Sequence, residues 1–575
     1  MIKRYASPFK DRIAINAFIK IIGTISEVVL PVILAHIIDD VVPTGNRNSV
    51  IIWGSIMIGL SVLAWILNVV ANRMASKTSS EVIKNIRYDL FERSMSLSQK
   101  QIDKVSISSL ESRLTSDTYV IHRFLGATLR MGIRSIMIFL GGVFFCFLLS
   151  PRLASILIVL ILPLLVVIRI IFKKAHPLFR KVQEKIDQMV QIIRENIRGI
   201  KVTKALVKTE YEKERYLKSN DNLKNAEIAA VDQMSLMSPL VNTILYGGLT
   251  AVIIWGSYLV DGNMLEVGVI MAFLSYFIQI TNSLMMINRM FNMYNRSKAS
   301  TDRINEILTM PEDTNQIIEE EFTLPEKKDS VPEIEFKDVS FSYLGIKDNI
   351  KNLSFKLFPG QTLGIMGATG SGKSTIIRLL LRQYDADHGE ILIRGINIKN
   401  LSSHQVNRLF GSVFQNDFLF RGTIRENVKF GRDISDEQII QASKDAQAYE
   451  FISTKEGGLD FELASKGVNL SGGQKQRILL TRAFAANPHI LILDDSSSAL
   501  DFKTDANLRQ ALSENYNYTT SIIVAQRVSS VMNADNIVFI ENGEVQAQGS
   551  HQDLLENSEA YKYIASMQLG GEDNE

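Results

Sequence analysis

A glycine-rich segment at residues 367–375 has the composition and spacing of a phosphate-binding loop. It reads Gly-Ala-Thr-Gly-Ser-Gly-Lys-Ser-Thr and lies between an apolar run at Thr362–Met366 and a helical pattern at Ile376–Leu381. Glycines let backbone N–H groups approach phosphate oxygens, a lysine supplies a cation, and the next hydroxyl can bind Mg²⁺. We therefore expect Lys373 to contact the terminal phosphates of a nucleotide and Ser374 to bind its magnesium ion.

Two carboxylates, Asp494 and Asp495, directly follow a second apolar run at Ile490–Leu493. The run has the length and composition of a buried strand. A carboxylate at the end of such a strand, beside the phosphate loop, suits a water-mediated contact to Mg²⁺. Asp494 is therefore a candidate for the metal site, and the alternative is that it only caps the next helix.

The length of 575 residues exceeds what one hydrophobic core supports, so two or more domains are expected. Hydrophobic residues make up 46% of the chain, and the formal net charge is only +2. That balance says little about partners, and we predict no nucleic-acid partner. The only cysteine, Cys146, excludes an internal disulfide and a thiolate zinc cluster, and its apolar surroundings favour simple packing.

Six apolar runs in the first half of the chain are long enough to cross a bilayer. Two of the connections between them, at about 73–123 and 173–224, are long and rich in Lys and Arg. Such an excess marks the cytoplasmic side, so both termini and the C-terminal half are expected there. Helical periodicity in these connections predicts membrane helices that continue into the cytosol. The runs lie near Ile13–Ile38, Val50–Val70, Leu125–Leu149, Leu153–Phe172, Leu236–Val260 and Val267–Ile287.

These patterns divide the chain into four segments. We predict a transmembrane domain at 1–305, an acidic and proline-containing linker at 306–330, an α/β domain at 331–568 and a disordered tail at 569–575. Candidate strands of the α/β domain are Ile334–Phe336, Ile391–Ile393, Ile490–Leu493 and Ser521–Val524.

Two features of the predicted spans leave alternatives open. Glu27 lies near the middle of the first span, where a charge is costly unless it is paired or faces water, so it either binds a cationic substrate or forms an ion pair. The last span is rich in flexible and aromatic side chains, which suit a promiscuous apolar cavity but also occur on lipid-facing helices. They include Met271, Phe273, Phe277, Met285 and Met286.

The segment Leu470–Arg477, which reads Leu-Ser-Gly-Gly-Gln-Lys-Gln-Arg, completes a set that resembles an ABC transporter cassette. The order of spans and cassette on one chain resembles an exporter half-transporter. The implied fold is an α-helical membrane domain of six long spans followed by an α/β P-loop ATP-binding cassette. The resemblance also implies a short coupling helix near Thr209–Arg215 that docks on the partner's cassette.

The resemblance assigns roles to further residues. It implies that Tyr343 stacks on adenine, that Gln415 belongs to the glutamine loop that reaches Mg²⁺, and that Asp501 belongs to the loop between subunits. The signature of one subunit covers the ATP that the other holds, so a dimer is implied. The expected ATP-binding residues are Tyr343, Gly367, Ala368, Thr369, Gly370, Ser371, Gly372, Lys373, Ser374, Thr375, Gln415, Ser471, Gly472, Gly473, Gln474 and Asp501, and the expected Mg²⁺ ligands are Ser374, Gln415 and Asp494.

Three positions depart from the family pattern. Asp495 stands where a glutamate would activate water, Gln526 stands where a histidine would contact the γ-phosphate, and Ser465 replaces an acidic residue found in many exporters. An aspartate retracts the carboxylate by roughly 1 Å, and such a displacement can cost about 10²-fold in rate. We therefore expect the catalytic residues Asp495, Gln526 and Gln415 to hydrolyse ATP slowly, unless Asp495 works adequately in a homodimer.

An intact signature beside a weakened catalytic site resembles one subunit of heterodimeric bacterial multidrug exporters. This resemblance implies a partner half-transporter that carries the glutamate and the histidine, a place in the cell membrane, and hydrophobic drugs or lipids as cargo. Two alternatives stay open, namely a peptide exporter without a protease domain and an ATP-binding regulatory subunit that gates its partner.

Overall fold

The computed structural model describes residues 1–311, 324–343, 345–415, 417–496 and 498–569, without the side chains at positions 157, 158, 161, 165 and 403. The chain divides into two compact units. The first comprises Met1–Met95 and Ser108–Met310, and the second comprises Ser96–Ile107 with the chain from Pro311 onward. About half of the predicted linker and nearly all of the predicted tail lie outside the described residues.

The first unit is built from helices. Each of the six predicted apolar runs lies on a helix, so a count of six spans fits this unit. Among the described residues, five helical segments are long and apolar enough to cross a membrane, namely Ile2–Thr44, Arg47–Met95, Ile107–Leu149, Thr209–Asp261 and Val267–Leu308. The run near Leu153–Phe172 lies on a sixth long helix, Pro151–Arg198.

Several of these helices are far longer than a bilayer requires. Arg47–Met95 has 49 residues and Pro151–Arg198 has 48. At 1.5 Å per residue each extends about 70 Å, more than twice the ~30 Å of a hydrocarbon core. The helices are Ile2–Ala6, Lys10–His36, Arg47–Met95, Ile107–Ser112, Thr118–Ala127, Ile133–Leu149, Pro151–Arg198, Ile200–Ala205, Thr209–Ser235, Met237–Asp261 and Val267–Leu308, with π-helical turns at Ile37–Val41, Arg113–Asp117 and Thr128–Gly132.

The short helix that the sequence placed near Thr209–Arg215 lies elsewhere. The structure has a short helix at Ile200–Ala205, and residues 209–215 instead begin the 27-residue helix Thr209–Ser235. The chain breaks at Gly199, which ends the preceding long helix, and at Val207, which has a φ of +54°. These two breaks bound the short helix Ile200–Ala205, and a coupling role for the residues near Thr209–Arg215 stays a prediction.

Aromatic residues of the last span pack inside the membrane unit. Phe273 and Phe277 are 1% and 5% exposed and belong to its hydrophobic core, whereas Met271 is exposed. The neighbouring Tyr276 donates a hydrogen bond of 2.6 Å to the carbonyl of Val28. For these two phenylalanines, core packing replaces both predicted alternatives, the apolar cavity and the lipid-facing surface.

The second unit is an α/β cassette with two main sheets. The larger sheet has the strand order Glu544–Gly549, Asn536–Glu541, Thr362–Gly367, Thr520–Ala525, Ile490–Asp494 and Phe410–Val413, and all of its pairs are parallel except the first. The other is antiparallel, in the order Ile350–Leu357, Ile334–Phe341, His388–Ile393 and Ile396–Asn397. A short pair joins Gly422–Thr423 to Glu462–Leu463. Each predicted strand lies within one of these strands.

Helices cover the sheets and carry several of the expected site residues. Parallel strands end at a common edge, so the loops after Thr362–Gly367, Ile490–Asp494 and Thr520–Ala525 meet there. The helices are Gln99–Val105, Lys373–Leu380, Ser403–Leu409, Ile424–Lys429, Asp436–Asp445, Tyr449–Ser453, Gly472–Phe484, Phe502–Asn515, Val528–Val531, His551–Asn557 and Glu559–Leu569.

Candidate ATP-binding site

The phosphate loop links the strand Thr362–Gly367 to the helix Lys373–Leu380, as its sequence predicts. Its geometry requires glycine at Gly372, which has a φ of +106°. A Cβ there would lie 2.6 Å from Cδ1 of Ile350 and 3.0 Å from the carbonyl oxygen of Asn349. The loop is therefore held in a conformation that other residues cannot adopt without strain.

The loop residues fit the phosphates of a nucleotide. Nζ of Lys373 donates hydrogen bonds of 2.8 Å to the carbonyls of Gly367 and Ala368. Burial lowers the pKa of Lys373, and the nearby carboxylates of Asp494 and Asp495 act against that shift. The hydroxyl of Ser371 is buried without a partner among the described atoms. A buried cation and an unpaired donor are the groups that anionic phosphate oxygens would satisfy.

The expected metal ligands lie next to this loop. The hydroxyl of Ser374 donates a hydrogen bond of 3.4 Å to Asp494, whose side chain is buried at the end of its strand. Burial raises the pKa of Asp494, the bond from Ser374 lowers it, and the charge of Asp495 raises it further. A buried carboxylate beside a second one favours a bound cation, which fits Mg²⁺. The capping alternative for Asp494 is wrong, because Asp501 caps the next helix.

The catalytic candidates Asp495 and Gln415 are in contact. Nε2 of Gln415 donates to Oδ2 of Asp495 at 3.3 Å. The backbone of Asp495 has a φ of +50°, and its N–H donates to the carbonyl of Val524 at 2.9 Å. Gln526 follows the strand Thr520–Ala525, and its carbonyl accepts a hydrogen bond from Gln568. Its side chain is exposed and makes no hydrogen bond to the residues that the structure describes.

Tyr343, the predicted adenine contact, is fixed from several sides. Its hydroxyl donates to Oγ1 of Thr375 at 3.3 Å and accepts from Arg378 at 3.1 Å. The ring of Tyr384 meets it edge-on, with the ring centroids 5.1 Å apart. An ordered, partly exposed ring beside the phosphate loop is a suitable platform for a base, and the contact of Tyr343 with adenine stays a prediction.

Sequence reasoning missed Tyr384 and the helix Gln99–Val105. This helix comes from the connection between two spans, yet it belongs to the second unit. The hydroxyl of Tyr384 donates a hydrogen bond to the carboxylate of Asp103, and both this hydrogen bond and burial raise the pKa of Tyr384. Helix and cassette residues line a common cavity of about 410 Å³. No motif marks Tyr384, so only the structure connects the helix to Tyr343.

The signature residues form the exposed start of the helix Gly472–Phe484. The hydroxyl of Ser471 accepts from the N–H of Gln474, and the Gln474 side chain accepts from the N–H of Ser471. Asp501 caps its own helix by accepting from the N–H of Thr504 at 2.8 Å. Among the described residues, the hydrogen bonds of Ser471 and Asp501 stay within these helix starts, so their roles toward a second subunit stay predictions.

A phosphate loop, a carboxylate at the end of the neighbouring parallel strand and a helix-capping signature define an ATP-binding cassette. The cassette follows a helical membrane unit on the same chain, as in an exporter-type transporter. Comparison with known proteins agrees. The family model for the ABC transporter transmembrane region matches residues 13–284, and the ABC transporter model matches residues 350–498. The chain belongs to the ABC transporter family and is a multi-pass membrane protein.

Individual relatives extend along nearly the whole chain. It is 36% identical to the uncharacterized ABC transporter ATP-binding protein YfiB of Bacillus subtilis (strain 168), over 96% of this chain and 95% of YfiB. It is 30% identical to the ATP-dependent lipid A-core flippase of Haemophilus influenzae (strain 86-028NP), over 98% and 96% of the two chains. A solved bacterial Atm1-family ABC exporter with ATP bound shares the fold, with a TM-score of 0.81 at 22% identity over 98% of this chain and 99% of that one.

Proposed function

We propose that this chain is one half of a heterodimeric ABC exporter in the cell membrane, and that its own site binds ATP but hydrolyses it slowly. Its cargo is a hydrophobic drug or a lipid. The similarity to a lipid A-core flippase supports the lipid as cargo. The observation that carries the slow site is the fixed backbone of Asp495, which leaves its short side chain no means of reaching further.

Asp495 is held in place by its surroundings. Its N–H is bonded to Val524, its φ is +50°, and its carboxylate is bonded to Gln415. A glutamate on the same backbone would carry its oxygens roughly 1 Å further, and a misplacement of that size costs about 10²-fold in rate. The backbone cannot move forward to compensate without breaking its bond to Val524.

Gln526 weakens the same site in a second way. An amide can donate a hydrogen bond to a phosphate oxygen, but it neither carries a positive charge nor transfers a proton. Both departures act on hydrolysis, whereas Lys373, Ser371 and the glycines of the loop keep the features needed for binding. The chain therefore retains nucleotide and turns it over slowly.

The division of labour follows from the residues. Lys373 and the loop amides bind the phosphates, Ser374, Asp494 and Gln415 would hold Mg²⁺, and the ion would supply positive charge to the phosphate oxygens. Asp495 orients the attacking water. The exposed start of the signature helix directs N–H groups outward, which suits the ATP held by a partner subunit. Both termini and the cassette lie in the cytoplasm in this proposal.

ATPase activity with matched substitutions tests the proposal. The purified full-length chain is assayed alone and together with the product of an adjacent cassette gene. Alone, we expect slow turnover that Asp495→Glu raises by up to about 10²-fold. In the pair, Asp495→Asn leaves most of the turnover, whereas glutamine at the partner's matching glutamate abolishes it. Asp433→Asn, at an exposed aspartate outside the site, serves as the carboxylate control.

Three results would overturn the proposal. Brisk turnover by the chain alone, abolished by Asp495→Asn, would make Asp495 a working base in a homodimer. A partner that also lacks the glutamate and the histidine would instead favour a regulatory subunit that binds ATP and gates its partner. Transport of labelled peptides in preference to lipids would identify a peptide exporter.

A further inference from the structure

The membrane unit contains a cavity of about 450 Å³ that is lined by both charged and apolar side chains. It lies between the helices Lys10–His36 and Arg47–Met95 and the π-helical turn Thr128–Gly132 that precedes the next span. Turns of this kind inside helices occur frequently at functional sites. The described residues that line it are Lys20, Glu27, Leu30, Ser61, Ala64, Trp65, Asn68, Asn72, Arg130, Met131 and Arg134.

The charges of this cavity do not balance. Glu27 is the only acidic side chain among the described residues that line the cavity. Arg134 donates two hydrogen bonds to the Glu27 carboxylate, and the one from Nε measures 3.1 Å. The ion-pair alternative for Glu27 is therefore confirmed. Among the residues that the structure describes, Lys20 and Arg130 have only neutral hydrogen-bond partners, since Lys20 donates to the amide oxygen of Asn72 at 2.9 Å and Arg130 to the hydroxyl of Ser76 at 3.1 Å.

The net charge of the cavity is thus about two positive units, and Lys20 does not lie at the surface. Its side chain is only 2% exposed, so it does not extend its ammonium group to bulk water as a snorkelling lysine would. Within a membrane, a cation without a carboxylate partner is costly unless it faces a polar cavity or a ligand. Packing of the helices alone therefore does not account for a buried lysine whose partner is a neutral amide.

The two cations lie toward one end of their predicted spans. Lys20 lies seven residues into its apolar run and Arg130 five residues into its own, which at 1.5 Å per residue places them about 10 Å and about 8 Å from the ends of their spans. Those are the ends that the sequence assigns to the cytoplasmic side. The cavity also has an apolar rim that includes Leu30, Trp65 and Met131, and Trp65 is 67% exposed.

We infer that this cavity binds the anionic headgroup of an amphiphile, such as a phosphate, through Lys20 and Arg130, while its apolar chains extend past Trp65. The inference rests on the proposed function, whose lipid cargo it narrows to anionic amphiphiles. It reverses the expectation that Glu27 attracts a cationic substrate, because Arg134 already neutralises that carboxylate. A zwitterionic lipid of equal chain length is a weaker ligand.

Trp65 provides a direct readout of binding. The chain has three tryptophans, and Trp53→Phe together with Trp255→Phe leaves Trp65 as the only fluorophore of this type. The full-length variant is placed in nanodiscs that contain increasing fractions of brominated phosphatidylglycerol or of brominated phosphatidylcholine with the same chains. We expect phosphatidylglycerol to quench Trp65 at lower mole fractions. The assay needs no nucleotide, so it is independent of the hydrolysis tested above.

Substitutions test whether Lys20 and Arg130 cause the preference for phosphatidylglycerol over phosphatidylcholine. One positive charge near the membrane surface strengthens binding of an anionic lipid about five-fold, so Lys20→Met or Arg130→Gln should each reduce the preference about five-fold and the pair about thirty-fold. Lys20→Arg retains the charge and the preference, which separates loss of charge from loss of fold. Lys218→Gln removes an exposed charge on the helix Thr209–Ser235, far from the predicted spans and outside the cavity, and should change nothing.

Three outcomes would overturn the inference. The first is equal quenching by the two lipids, and the second is an anionic preference that survives Lys20→Met with Arg130→Gln. The third is displacement by soluble glycerol phosphate at the concentration that the lipid requires, which would show that a free phosphate, not an amphiphile, is recognised. Each outcome leaves the ATPase asymmetry of the proposed function untouched, so the two failures are distinguishable.

Discussion

The substitution Tyr384→Phe should loosen the helix Gln99–Val105 while leaving the nucleotide site in place. The change removes the hydroxyl that bonds to Asp103 but keeps the ring that meets Tyr343 edge-on at 5.1 Å. Hydrogen bonds to charged groups contribute about 1.5–3 kcal/mol. Because Asp103 is exposed and regains water when the bond is lost, we take the lower value.

A loss of about 1.5 kcal/mol corresponds to roughly a ten-fold increase in local opening. Hydrogen–deuterium exchange of the full-length chain, followed on peptides that cover residues 99–105, should therefore be about ten-fold faster in Tyr384→Phe. ATP affinity should change by less than about two-fold, because the aromatic neighbour of Tyr343 is retained. Tyr518→Phe, at a tyrosine that is 87% exposed, is the matched control and should leave exchange unchanged.

Unchanged exchange at residues 99–105 would refute the reasoning, since the bond would then contribute nothing to docking of the helix. Equal acceleration across the cassette, including the signature helix Gly472–Phe484, would also refute it, because that pattern indicates general destabilisation. A large fall in ATP affinity without faster exchange would show that the hydroxyl acts on Tyr343 instead of on the helix.

Two further substitutions test electrostatics in each unit. Burial raises the pKa of Asp494, so the folded state binds its proton more tightly than the unfolded state, and the stability of the nucleotide-free chain rises as the pH falls through that raised pKa. Asp494→Asn removes the buried charge and should raise the melting temperature of the nucleotide-free chain at neutral pH, by about 2–4 °C for a gain of 1 kcal/mol. The additional stabilisation by Mg²⁺ with ATP should disappear in this variant. A melting temperature below that of the unmodified chain would contradict the prediction. In the membrane unit, Asp117 is buried and accepts hydrogen bonds from Arg303 and Ser300. Arg303→Met should therefore lower the free energy of unfolding in denaturant by about 3 kcal/mol, whereas Arg296→Met, at an exposed position, should lower it little. Equal effects of the two substitutions would mean that Asp117 does not depend on Arg303.

The parts of the site that depend on neighbouring residues could be predicted from the sequence. The strand, loop and helix around Lys373 could be predicted because the apolar strand, the glycines that adopt a positive φ and the start of the helix follow one another directly in the sequence. The strand ends were predicted too short. Ile334–Phe336 extends to Phe341, because the exposed residues Lys337 and Asp338 interrupt the apolar run that marked the strand.

Contacts between distant residues could not be predicted. Whether Glu27 forms an ion pair depends on Arg134, which lies 107 residues later in the chain. Nothing in the sequence indicated that this arginine would be its partner. Tyr384 carries no motif, and its partner Asp103 lies in a connection between spans. The short helix near residue 200 was missed although Gly199, which ends the preceding helix, is a residue type common at helix ends. The break at Val207 could not be read from the sequence, because a β-branched residue rarely adopts a positive φ.

The helix Gln99–Val105 has a consequence for the order of synthesis. Asp103 and Tyr384 are 281 residues apart in sequence, although they share one compact unit. At about 5–20 residues per second, a ribosome makes the tyrosine roughly 15–55 s after the aspartate. During that interval the four remaining predicted spans are synthesised, and the helix has no cassette against which it can pack. A cassette exchanged between relatives without residues 96–107 would therefore lack a helix that belongs to its own compact unit.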